Sequence, residues 1–113
     1  MDDSFAHLHG IVDWPTPIDR MTEILRAGGL HVIQGRYSIR VSDCSHFIFQ
    51  QYGGDLGEPM IEADAETVER MVSDAELVSR ALEKFSVYHS FEIYDGHNNL
   101  ARTITCGSKK TDS

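Results

Sequence analysis

The chain is short of basic side chains. Ten Lys and Arg stand against eighteen Asp and Glu, a formal net charge of −8 over 113 residues. Binding a nucleic acid through its phosphates needs clustered Lys and Arg, so the composition argues against DNA and RNA as ligands. Only two cysteines occur, Cys44 and Cys106, in no CxxC arrangement. They neither demand nor exclude an oxidising compartment, and both read as free thiols. No apolar run approaches the ~20 residues that span a bilayer. The opening MDDSFAHLHG lacks the basic and apolar regions of a secretory signal, so a cytoplasmic protein without membrane contact is the expectation. The glycine-rich stretch Gly53–Pro59 has no P-loop lysine and no GxGxxG pattern, which removes a phosphate cradle.

What is present is ordinary for a folded domain. Hydrophobic residues make up 41% of the chain and charged residues 25%, and the length suits one domain, 1–113, with a real core. Thr16, Pro17 and Asp19 form a helix-start signal, Ile18, Met21, Ile24 and Leu25 give the helix an apolar face, and Gly28-Gly29 stops it. Leu30–Gln34, Tyr37–Val41 and His46–Tyr52 read as an antiparallel meander of three strands, with a short fourth strand expected at Met60–Glu62. Consecutive apolar residues at Phe47, Ile48 and Phe49 point to a strand covered on both sides, or to one whose second face meets a partner.

A second helix follows, capped by Asp64, with Val68, Met71, Val72, Ala75, Val78, Leu82 and Phe85 at helical spacing. Ser73 and Glu76 leave open a break within it. Val87–Tyr94 and Leu100–Cys106 form a closing hairpin around Asp95–Asn99. The expected fold class is α+β in the order α-β-β-β-(β)-α-β-β, a mostly antiparallel sheet with two helices on one face. Residues 1–13 and 107–113 are expected to be flexible ends. Type III secretion chaperones and small bacterial immunity proteins share this element order, though no motif of either matches residue by residue.

Charge is concentrated in one stretch. From Glu58 to Glu83 eight acidic residues face only Arg70 and Arg80, which accounts for six of the eight net negative charges. Glu69, Glu76 and Glu83 recur every seven residues and form one ridge of the second helix, with Glu66 farther round the polar side. The bland explanation is a solvated face braced by Glu66–Arg70 and Glu76–Arg80 pairs, each worth ~0.2–0.5 kcal/mol. The functional one is a surface that steers a basic protein partner.

Six histidines raise the question of metal or acid–base chemistry. His7 and His9, spaced as His-x-His, would share one side of an extended strand, and Cys44 and His46 add a Cys-x-His step at a turn. Neither supplies a third ligand, so no metal and no cofactor is implied. Asp43, Cys44 and His46 hold the residue types of a thiol nucleophile with its base, but neighbours in sequence rarely converge as a triad does. His89 shares a strand face with Val87, Phe91 and Ile93 and reads as a core histidine needing one hydrogen-bond partner. The opposite face carries Tyr88, Ser90, Glu92 and Tyr94, a second candidate binding patch. Trp14 is expected to close the core beside the first helix; exposed, it would be an interface anchor.

The absence of a catalytic constellation favours a non-enzyme. The preferred reading is a small acidic protein-binding module that engages a basic partner through Glu66, Glu69, Glu76 and Glu83, with Tyr88, Glu92 and Tyr94 as the second patch. A homodimer follows if the second face of the Phe47–Phe49 strand is uncovered. The rival is a small-molecule binder or enzyme with a cleft near the Gly53–Pro59 loop and His46, His89 or Glu92 as acid or base.

Overall fold

Short segments, most of them alternating with period two, build a seven-stranded antiparallel sheet among the described residues. The structure is a computed structural model and describes residues 5–12, 18–36, 38–50 and 60–106. Its elements are β1 (Ala6–Val12), α1 (Ile18–Ala27), β2 (Val32–Gln34), β3 (Ser38–Val41), β4 (His46–Gln50), β5 (Met60–Ala65), α2 (Val68–Glu83), β6 (His89–Tyr94) and β7 (Leu100–Cys106). The strands lie in the order β2-β3-β4-β5-β1-β6-β7. Both helices pack on one face, α2 against β5, β1, β6 and β7 and α1 toward β2, so the α+β class holds.

One strand was absent from the expected order. Residues 6–12, read as part of a flexible end, form the strand between β5 and β6. Ala6, Leu8 and Val12 point into the core while His9 and Ile11 are exposed, so the alternation was there but was diluted by two histidines and Gly10. The helix-start signal at Thr16-Pro17, Trp14, the Gly53–Pro59 loop and the 107–113 tail lie outside the described residues.

The core is the layer between helices and sheet. Leu8, Ile39, Phe47, Phe49, Ile61, Phe91 and Ile93 from the strands meet Met21, Ile24 and Leu25 of α1 and Met71, Ala75, Val78 and Leu82 of α2. Phe47, Phe49 and Phe91 pack with ring centroids 5.8–5.9 Å apart. Ile48 is only half-buried and points away from this core, so β4 does alternate, with its second face turned outward.

Helix ends set how the layers meet. α1 closes with Gly29 at φ 99°, its N–H bonded to the Arg26 carbonyl and that of Leu30 to the Leu25 carbonyl, a left-handed stop that suits glycine. Gly28 lies against α2, where an added Cβ would come within 2.6 Å of the Ala81 Cβ. The cap of α2 differs from expectation. Thr67, not Asp64, accepts the Arg70 N–H at 3.0 Å, because the alternation of Ile61, Ala63 and Ala65 carries β5 on through Asp64. α2 runs unbroken past Ser73 and ends at Glu83, which leaves Phe85 beyond the helix and 41% exposed.

Candidate functional site

The acidic stretch does not form one stripe. Asp74, counted with the surface charge, is buried on the core side of α2. Its carboxylate accepts from Arg70 Nε at 3.0 Å and from the Ser45 backbone N–H at 3.2 Å, which ties the β3–β4 turn to the helix. Arg70 therefore pairs with Asp74 rather than Glu66, and Glu76 pairs with Arg102 of β7 at 3.3 Å rather than with Arg80. Glu66 sits on the bend before Thr67 and is exposed, as are Glu69 in the first turn and Glu83 in the last. With Arg80 exposed among them, the outer side of α2 carries mixed charge.

The opposite side of the sheet gathers more. Among the described residues nothing covers it. Cross-strand register sets out one row as Arg40, Ile48, Glu62, His9, Glu92 and Thr103, and a second as His46, Asp64, His7, Tyr94 and Leu100. Ile11 stands beside Ser90, and Ser90 beside Thr105. β5, β1 and β6, at the centre, contain no Lys or Arg, so Glu62, Asp64 and Glu92 dominate the charge there.

Within this face the side chains hold one another. Tyr94 stacks on His7 with centroids 5.4 Å apart at 15°, and His9 meets the His7 ring edge-on at 5.7 Å. The Tyr94 hydroxyl donates to Glu92 Oε1 at 2.9 Å, and that bond raises the Tyr94 pKa because it favours the protonated phenol. His46 Nδ1 donates to Asp64 at 2.9 Å. A shallow depression of about 190 Å³ is lined by His9, Gly10, Ile11, Ser90 and Glu92. The second patch, Glu92 and Tyr94, thus joins His7 and His9, as the His-x-His spacing implied for one side of a strand. Tyr88 lies half-buried just before β6. Among the described residues no three His, Cys, Asp or Glu side chains are placed to hold a metal ion.

His89 is a core residue. Its Nδ1 donates to the Val87 carbonyl at 2.8 Å, so Nε2 accepts from the Ser79 hydroxyl at 2.7 Å. Enclosure depresses the His89 pKa and keeps the ring neutral. Cys106 Sγ lies 3.7 Å from Ser79 Oγ. A serine bonded to an imidazole is the start of a nucleophilic site, but here the ring is oriented by a carbonyl rather than a carboxylate. Ser79 is also mid-helix, where backbone N–H groups are spent on the helix and cannot form an oxyanion hole.

Cys44 is equally unsuited to nucleophilic work. Burial first, then Asp74 and Asp43, push its thiol up to about 12, far from the thiolate needed at neutral pH. Its neighbours point elsewhere. His46 is engaged with Asp64, while Asp43 accepts the His31 backbone N–H at 2.7 Å and the His31 ring N–H at 3.0 Å, bonds that lower the Asp43 pKa. Compared with protein-family models, with curated proteins and with solved structures, the chain matches none.

Proposed function

We propose that the protein is a binding module whose uncovered sheet face receives a basic protein surface. The observation that supports this most is the composition of that face: Glu62, Asp64 and Glu92 surround a His7–His9–Tyr94 ring cluster on three strands that carry no Lys or Arg. Stacked rings with the half-buried Ile48 and exposed Ile11 offer apolar contact, and the carboxylates supply charge complementary to Lys and Arg. The outer side of α2 is a poorer candidate, since Arg102 engages Glu76 and Asp74 is buried and pairs with the exposed Arg70.

Two charge reversals separate the faces. Affinity capture from the source cell's lysate is run with wild type, with Glu62→Lys/Glu92→Lys, and with Glu69→Lys/Glu83→Lys, each checked for folding by circular dichroism. The expected result is a salt-sensitive partner that the sheet variant loses by about tenfold or more and the helix variant retains. Retention by the sheet variant and loss by the helix variant would move the interface to α2.

A further inference from the structure

The two edges of the sheet are unequal. β2 ends one side with three residues, whereas β7 ends the other with seven, Leu100–Cys106, and among the described residues β7 pairs only with β6. Exposed edges present unpaired N–H and C=O groups, and proteins blunt them with short strands, proline, or charges directed along the edge. β2 is blunted by its length. β7 contains neither Pro nor Gly, has three β-branched residues in Thr103, Ile104 and Thr105, and folds back its single charge, Arg102, onto Glu76. A register shift at Ile93/Tyr94 disturbs only its first residues.

Beside this edge lies a cleft. Between α2 and β7, Glu76, Ser79, Arg80, Arg102 and Ile104 line about 290 Å³ of space, on the same side of the sheet as the core. A strand added to β7 would direct every second side chain into it.

We infer that a second copy of this chain fills that place, its β7 pairing antiparallel with the first about a two-fold axis at Thr103. The pairing uses the five residues 101–105: Ala101 faces Thr105, Arg102 faces Ile104 and Thr103 faces itself, whereas Leu100, on the uncovered face beside Tyr94, and Cys106, on the core side beside His89, lie beyond it. No like charges stand opposite one another, and Thr–Thr is a favourable cross-strand pair. Arg102 and Ile104 of the second copy enter the cleft side, while Ala101, Thr103 and Thr105 extend the uncovered face. An isologous pairing consumes the one extendable edge that the described residues of each copy offer, and the three-residue β2 edges limit further growth, so assembly stops at two. This inference stands apart from the sheet-face reading, because it needs no other protein.

The test is the solution mass of purified wild type, Thr103→Lys and Thr103→Glu across a dilution series, by light scattering on a sizing column. Thr103 is exposed, so both variants leave the core intact, and circular dichroism checks this. Wild type is expected at twice the 12.7 kDa chain mass. Each variant alone should lose the dimer, since like charges then meet on the axis, and an equimolar mixture of the two should restore it. A wild type that stays monomeric at the highest concentration, variants that remain dimeric, or a mixture that stays monomeric would each overturn the Thr103-centred pairing.

Discussion

Two buried polar side chains, Asp74 and His89, do structural work that their residue types conceal. Asp74 lies on the core side of α2 with Ala75 and Met71, and its carboxylate replaces water for the Ser45 N–H. Asp74→Ala should therefore destabilise the fold by about 2 kcal/mol, because a partly buried donor loses a charged acceptor. Asp74→Asn, which keeps an acceptor, should cost less; equal losses in urea titrations would contradict this account. His89 predicts a pH dependence. Its folded pKa is depressed, so below the ordinary value of about 6.5 the unfolded chain takes up a proton that the folded chain refuses, and stability falls as pH falls. Between about pH 7 and about pH 5 the wild type should lose stability more steeply than His89→Gln, which cannot titrate. Parallel slopes would place the His89 ring in contact with solvent. The core position of His89 was legible from its alternation with Phe91 and Ile93; its helix partner Ser79 was not, because that contact joins two elements.

At the scale of elements, local signals were legible and long-range ones were not. α1, its Gly28-Gly29 stop, the β6–β7 hairpin and the apolar face of α2 follow from periodicity and turn residues within a few positions. The Thr67 cap was hidden because Ala63 and Ala65 serve a strand as readily as a helix when their neighbours alternate. β1 was hidden because its partners, β5 and β6, lie about fifty and eighty residues away in sequence, and no local rule places a strand between them. The far end of α2 supplies a prediction. Ser86 adopts φ 59° where the Val87 N–H returns to the Leu82 carbonyl, the left-handed position that glycine takes after Gly28 in α1. Ser86→Gly removes a side chain from a strained backbone and should stabilise the protein by about 0.5–1 kcal/mol. A lower melting temperature in calorimetry would show that the Ser86 side chain earns its place through another contact.

For the whole molecule, where the charge sits depends on which groups fold back on one another. The stretch from Glu58 to Glu83 reads as a negative stripe in sequence, yet Arg70 closes on Asp74 and Arg102 on Glu76. Glu62 and Asp64 of the same stretch fall instead on the sheet face, beside His9 and His7. The candidate patch was half legible: Glu92 and Tyr94 were visible by alternation, but their union with His7, His9 and Glu62 required β1 at the centre of the sheet. The central claim, that this face is the binding surface, is tested most directly by zero-length carbodiimide crosslinking of the captured complex, which joins carboxylates to partner lysines in contact. Mass spectrometry should find the crosslinks at Glu62, Asp64 and Glu92. Crosslinks confined to Glu66, Glu69 and Glu83 would contradict the account and return the interface to the second helix.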